Sequence, residues 1–326
     1  MTSGGLGEFG RIREFFAPLA APGGLGLKDD AALVECALGR QLVVTVDAIV
    51  EGVHYLPDDP PELIAKKLLR VNLSDLAAKG ARPLYYLLVT VLPVRLGDDW
   101  VARFAAGLGD DQRRYGVALL GGDSVATPGP AALSLTALGD VAQGAEIRRS
   151  GAQPGDRVWV SGTIGDAWLG LKVLRGEYAS LAAADREFLA ARFRLPEPRV
   201  ALGPRLIGLA HAMCDVSDGL VADLGHICEA SGVGATVSLP AVPLSPTGRR
   251  LAADDPTLPT GCATGGDDYE LVFAAPPAAS EEITSLAAEL GLPLTAIGTI
   301  VEGARVRLVD AAGREVPVAA GGWTHF

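Results

Sequence analysis

Aspartates recur along this chain as Asp29/Asp30, Asp47, Asp75, Asp123, Asp215/Asp218 and Asp267/Asp268. Most follow apolar runs or lie in glycine-rich turns, where loops commonly build sites. Asp75 stands in Asn72-Leu73-Ser74-Asp75-Leu76-Ala77-Ala78-Lys79-Gly80-Ala81. An unpaired carboxylate among small, close-packing residues is costly, so Asp75 should meet a cation or hydrogen-bond donors. Taken singly, each Asp has a plainer explanation as a turn residue or cap, and Asp218 could simply cap a helix starting near Gly219. Taken together, they suit a hard cation such as Mg²⁺, which binds through a few carboxylates plus substrate phosphates. No Cys/His cluster suggests zinc.

Magnesium ligands in this number point to phosphate chemistry, because metal charge offsets that of a transferred phosphoryl group. Neither a G-x-x-x-x-G-K-[ST] loop nor a protein-kinase signature is present. A nucleotide would therefore be held mainly through carboxylate-bound metals, helped by backbone amides and a few arginines. The glycine-rich stretch 23–30 is a weak signal alone. Arg149, just before Ser150-Gly151, is either a phosphate contact or an ordinary exposed cation. His54 and Tyr55, with Trp323, His325 and Phe326, either pack in the core or stack on a flat, cationic heterocycle.

The elements that must position these residues are legible in outline. Residues 61–80 read as a helix: Pro61 suits the first position, Ile64, Leu68 and Val71 recur at helical spacing, and Gly80 stops it. Asn72 and Asp75 share one face of that helix. Residues 8–16 predict a short helix. Residues 41–46 predict a strand ending at Asp47, and 83–94 a long one. Residues 98–115 predict a helix stopped by Gly116. Residues 117–120 predict a short strand delivering Gly121-Gly122-Asp123-Ser124, and 132–138 another, with 139–144 as a linker. A second unit then begins, with a strand at 157–160 and helices at 166–174, 184–194 and 199–210. A strand ending in Cys214-Asp215 opens a helix reaching residue 231. A proline-bearing loop leads to Gly265-Gly266-Asp267-Asp268-Tyr269-Glu270, followed by a strand, a helix at 281–290 and two strands. Both halves mix strands and helices, which predicts a two-domain α+β protein with helices on mostly non-parallel sheets.

A length of 326 residues accommodates two cored domains. A net charge of −11 argues against nucleic acid as a partner. No apolar run reaches the ~18 residues of a membrane span, and Glu8, Arg11 and Glu14 interrupt any N-terminal signal pattern. The four cysteines, Cys36, Cys214, Cys228 and Cys262, are widely spaced and read as reduced residues of a cytoplasmic protein.

These segments together resemble the thiamine-monophosphate kinase family. The resemblance lies in Asp29-Asp30-Ala31-Ala32, Asp47 through Val50-Glu51-Gly52-Val53-His54, Asn72-Leu73-Ser74-Asp75, Gly121-Gly122-Asp123 and Arg149-Ser150-Gly151. It continues through Ser161-Gly162-Thr163-Ile164-Gly165-Asp166, Asp215-Val216-Ser217-Asp218-Gly219-Leu220, Gly265 through Leu271 and the Gly322-Trp323-Thr324-His325-Phe326 end. It runs from about residue 8 to the end of the sequence. The wider aminoimidazole ribonucleotide synthetase-like superfamily shares the acidic clusters but neither the Val-Glu-Gly-Val-His nor the Gly-Trp-x-His-Phe segment.

The resemblance implies ATP-dependent phosphorylation of thiamine monophosphate to thiamine diphosphate. It implies that Asp30, Thr45, Asp47, Asp75, Asp123, Asp215 and Asp218 share several Mg²⁺ ions. Gly122, Asp123, Arg149 and Ser217 would contact ATP, and His54, Asp267 and Trp323 would hold thiamine monophosphate. It further implies a homodimer whose N-terminal sheets join in a barrel, with residues 1–143 as the ATP/Mg-binding and dimerisation domain. Residues 144–326 would form an α/β sandwich-like domain completing the nucleotide and substrate site. Two departures stand out: Lys28 where the family often has Gly, and Val46 where a hydroxyl residue is usual. Neither removes a carboxylate, so altered metal affinity is the expected consequence.

A phosphate monoester is already anionic near neutral pH, because its second pKa is ~6. No general base is then needed, and direct in-line transfer assisted by metal through Asp47, Asp75, Asp123 and Asp218 is the expected mechanism. Rival readings are another ATP-using superfamily member or a non-catalytic nucleotide or thiamine-phosphate binding module. Residues 1–30 contain no Cys for selenophosphate synthesis, and the sequence ends in Thr-His-Phe rather than the cysteine of the hydrogenase-maturation protein. Aminoimidazole ribonucleotide synthesis would leave the His54 and Trp323 segments unexplained. A silent module would be expected to lack a metal carboxylate, and none is missing.

Overall fold

The computed structural model describes residues 6–29, 31–318 and 322. Asp30 and Trp323, both assigned roles above, lie outside them. The chain divides into two compact units, Met1–Leu76 with Ala81–Gly144, and Ala77–Gly80 with Ala145–Phe326.

The first unit opens with α1 (Glu8–Arg11), which runs on as a wider π-type turn over Ile12–Phe16. It continues through β1 (Arg40–Val50), α2 (Pro61–Ala78), β2 (Arg82–Pro93), α3 (Asp98–Tyr115), β3 (Ala118–Thr127) and β4 (Ala132–Ala142). Among the described residues the strands form a four-stranded sheet in the order β1-β4-β2-β3, antiparallel except for the β2–β3 pair. Leu68, Leu69, Leu73 and Leu76 of α2, Phe104 and Leu108 of α3, and Leu133 and Leu135 of β4 are buried. The two helices approach closely at Gly107, where an added Cβ would stand 2.4 Å from the Glu62 carbonyl oxygen. Beside that approach the buried Arg70 guanidinium donates to both carboxylate oxygens of buried Asp111, at 2.6 and 3.0 Å.

Three strands run further than expected. β1 passes through Asp47 to Val50, paired with β4 along its whole length. β3 contains Gly121–Ser124 rather than ending before them, because the parallel ladder with β2 extends to Pro93↔Thr127. β4 absorbs most of the expected linker; Arg40 and Arg82 both pair with Asp140 there, and the Arg40 hydrogen bond, aided by Arg82, holds that carboxyl below its usual range.

The second unit contains β5 (Arg157–Ser161), α4 (Asp166–Leu174), α5 (Ala183–Arg194), β6 (Ala212–Asp215), α6 (Leu220–Ser231) and β7 (Gly234–Ser238). Then come α7 (Pro246–Asp254), α8 (Leu258–Thr264), β8 (Leu271–Ala275), α9 (Ser280–Leu290), β9 (Leu294–Val301) and β10 (Val306–Val309). Among the described residues its six-stranded sheet has the order β10-β7-β9-β5-β8-β6, parallel only between β10 and β7. Both faces are covered. Val158 and Val160 of β5 join one core with Leu220 and Leu224 of α6. Trp159, between them, joins the other with Phe273, Ile283 and Leu286.

Residues 199–210 do not form the expected helix but a series of turns with a 3₁₀ turn at Gly203–Leu206. Pro204 supplies no amide there, and Gly203 packs so closely that a Cβ would lie 2.1 Å from the Ala77 carbonyl. Conversely, the proline-bearing stretch after β7 holds α7 and α8. Pro246 takes the first position of α7, a place where proline starts helices, and the Ser245 hydroxyl accepts the Gly248 amide at 3.0 Å.

Asp111→Ala should destabilise the protein by about 3–5 kcal/mol, because it removes the carboxylate that offsets the buried Arg70 charge. Urea unfolding measures this, and Arg70→Met combined with Asp111→Leu should recover most of the loss.

Candidate active site

In the first unit, alternation along β1 decides which side chains meet α2. Val44 and Val46 are exposed on one face, while Thr45 and Asp47 take the other. The Thr45 hydroxyl donates to the Asp75 carboxylate at 2.6 Å. One turn earlier, the Asn72 carbonyl oxygen accepts the Asp47 amide at 3.0 Å, and its amide nitrogen donates to the Leu68 carbonyl at 2.9 Å. Asn72 is fully buried; it acts as a strut between strand and helix. A hydroxyl and two carboxylates, Thr45, Asp47 and Asp75, are thereby gathered on facing elements. A set composed only of oxygen donors fits a hard divalent cation.

His54 closes a turn in which its amide and that of Val53 donate to the Val50 carbonyl, at 3.0 and 3.1 Å. Its Nδ1 accepts the Val50 amide at 3.0 Å, which in the neutral ring leaves the proton on Nε2. Its carbonyl receives the ammonium of buried Lys67 at 2.9 Å.

Gly122 lies in β3 where a Cβ would come within 1.8 Å of the Leu88 carbonyl, so only glycine fits that approach. Asp123 beside it is exposed and accepts the Ser124 amide at 2.8 Å. The glycine-rich segment folds over this strand: a Cβ on Gly24 would stand 2.6 Å from the Leu120 carbonyl. Between them is a cavity of about 190 Å³, lined by apolar Phe16, Leu27 and Leu88 and by polar Thr90, Asp123 and Ser124. Asp29 also lines it, and Lys28 beside Asp29 is exposed.

In the second unit, β6 delivers buried Asp215 at its last residue. Asp218 does not cap α6. Its amide and that of Gly219 both donate to Asp223, inside the first turn, at 3.0 and 3.1 Å. Burial, reinforced by the Asp218 charge, pushes the Asp223 carboxyl up to about 7, against the pull of those amides and of Arg149. Arg149 is itself exposed. The ligand atoms of Asp218, Asp223 and His226 lie within 4.8 Å of one another. The sequence reading missed the last two, although their separation of three on α6 places them on one face.

The Ser217 carbonyl accepts the amide of Asp267 at 2.8 Å, tying the 215–218 segment to the 265–270 segment. Asp267 itself is half-buried. Its neighbour Asp268 is fully buried, accepting the Gly165 amide at 2.6 Å and the Ala167 amide at 3.2 Å at the start of α4. Burial still outweighs those donors and pushes its carboxyl up to about 8.

The two matched domains define the class. Residues 28–141 match the AIR synthase related protein N-terminal domain, and residues 153–311 match the AIR synthase related protein C-terminal domain. The chain belongs to the thiamine-monophosphate kinase family. It is 44% identical over 325 residues to the thiamine-monophosphate kinase of Caulobacter vibrioides, covering 98% of this chain and 90% of that relative. The crystal structure of the thiamine-monophosphate kinase from Stenotrophomonas maltophilia K279a superposes with a TM-score of 0.81 at 42% identity, covering 89% of this chain and 91% of that one. A structure of AaThiL complexed with AMPPCP and TMP superposes with a TM-score of 0.77 at 31% identity, covering 100% of this chain and 99% of that one.

Asp268 carries a pH dependence whose sign is fixed by burial. Its folded value of about 8 stands above the ordinary value of ~3.9, so the folded protein holds a proton that the unfolded chain has released. Stability should therefore fall as pH rises from about 4 to about 8, by at most ~1.4 kcal/mol per unit, and level off above. Urea unfolding across that range should show this component, and Asp268→Asn should remove it.

Proposed function

We propose that this chain transfers the γ-phosphoryl group of ATP to the phosphate of thiamine monophosphate, giving thiamine diphosphate and ADP. The reading is carried by the oxygen-donor set of Thr45, Asp47 and Asp75 in a chain kin to thiamine-monophosphate kinases. Thr45, Asp47, Asp75 and Asp123 in the first unit, with Asp30, and Asp215 and Asp218 in the second, would hold Mg²⁺. Bound there, Mg²⁺ would offset the charge of two polyanions that otherwise repel.

The chain's own groups do the rest by positioning. The Thr45 hydroxyl orients the Asp75 carboxylate, and Asn72 fixes the strand that carries Asp47. Gly122 and Asp123 border the 190 Å³ cavity, whose apolar lining residues suit a nucleobase; with Arg149 and Ser217 they are the ATP contacts of this reading. His54, its ring oriented by the Val50 amide, is assigned with Asp267 and Trp323 to thiamine monophosphate. An anionic acceptor oxygen needs no general base, so transfer is direct and in line, without a phosphoenzyme.

Within the first unit, Leu42, Val44 and Val46 of β1 are exposed at alternate positions, as are Leu87 and Val89 of β2. Such an apolar sheet face supports a homodimer closed through it. Four cysteines without disulfides support a cytoplasmic setting.

Incubation with thiamine monophosphate, ATP and Mg²⁺ should yield thiamine diphosphate and ADP in equal amounts. Asp75→Asn should lower that turnover by about a hundredfold or more, on the scale of losing one transition-state electrostatic contact. ADP without thiamine diphosphate would reject the acceptor, and a labelled phosphoenzyme chased into product would reject direct transfer. Val46→Lys, on the exposed face, should shift the protein towards monomer in sedimentation; an unchanged mass would reject closure through this face.

A further inference from the structure

The segment Gly265–Leu271 carries two non-glycine residues in the left-handed backbone region, Asp267 at φ 73° and Tyr269 at φ 52°. Such residues are strained and persist only where their surroundings over-determine them. Here the surroundings act through the alternate residues. Asp267 and Tyr269 are half-buried, whereas Asp268 and Glu270 are fully buried.

Buried Glu270 is held by three side chains. Arg199 donates to both of its oxygens, with the Nε contact at 2.6 Å. Arg192 donates at 3.1 Å and the Ser161 hydroxyl at 2.6 Å. The carboxylate lies against Gly162, where a Cβ would stand 2.2 Å from a Glu270 oxygen. Asp268 is pinned by the two amides at the start of α4. The backbone between is laced to the 215–218 segment: Asp267 donates to Ser217, Tyr269 to Val216, and Val216 back to Glu270, each at 2.8 Å.

We propose that Glu270, clamped by Arg192 and Arg199, and Asp268, seated at the start of α4, are positioning residues that set Asp267 for the phosphate-bearing acceptor. This rests on the assignment of Asp267 to thiamine monophosphate made above. The buried acids touch no substrate in this reading; they fix the strained backbone from which Asp267 projects. Ion pairs buried only for stability could be loosened with a general loss of folded protein. Pairs buried to aim Asp267 act on one substrate selectively and only while Asp267 keeps its carboxylate.

The test is a double-mutant cycle on steady-state kinetics, with thermal unfolding measured alongside. Glu270→Gln should raise KM for thiamine monophosphate about tenfold while KM for ATP moves less than about twofold. In an Asp267→Asn background the same substitution should change KM for thiamine monophosphate by less than about twofold. If Glu270→Gln does not fold, Ser161→Ala, which leaves the arginine pairs in place, is read by the same criteria with an expected rise of about threefold. Equal effects on both substrates, or additive effects in the Asp267→Asn background, would overturn the proposal. An unmutated protein that makes no thiamine diphosphate would instead reject the underlying function, so the two failures are distinct.

Discussion

A buried carboxamide sets the frame on which the acidic residues of the first unit depend. Asn72 ties the Asp47 amide to the Leu68 carbonyl, and so joins the middle of a strand to the body of a helix. Carboxylates brought together lose hydration and repel, and nothing in their own chemistry would keep them adjacent. The neutral amide can be buried at far lower cost than a charge, provided its donor and acceptor are both used. With the strand fixed, the Thr45 hydroxyl reaches Asp75 across to the helix.

The second unit solves the same problem with main-chain amides. Asp223 collects the amides of Asp218 and Gly219, and Asp268 those of Gly165 and Ala167. In each case burial raises the carboxyl's affinity for a proton more than the amides lower it. The arginines are spent on Glu270, the acid furthest along the segment. Neutral dipoles thus serve near the residues proposed as ligands, and full charges serve one step behind them.

Much of this was legible in the sequence because glycine, proline and aspartate mark backbone events directly. Helix α2 could be read from Pro61, its apolar spacing and Gly80, and α3 from Asp98 to Gly116. The oxygen-rich character of the site followed from residue type alone. What escaped was what depends on partners distant in sequence. The length of β3 is set by its ladder with β2, so Gly121–Ser124 looked like a turn. Pro246 and Pro259 looked like interruptions, although each occupies the first turn of a helix. The roles of Asp268 and Glu270 need α4, α5 and the Arg199 turn to be in place, over separations of 71 to 103 residues for the hydrogen bonds to Arg192, Arg199 and Gly165. Asp30 and Trp323 fall outside the described residues.

Strand β1 carries two messages in alternate letters. Thr45 and Asp47 face the helix, while Val44 and Val46 face away. A strand has only two sides, so inserting or deleting one residue within it exchanges the messages completely. The oxygen donors would turn outward and valines would be pressed against Asp75. A family built on such a strand can drift freely in the loops around it and substitute within each face, but it cannot change the strand's length one residue at a time. Its history should be written in substitutions there and in gaps elsewhere.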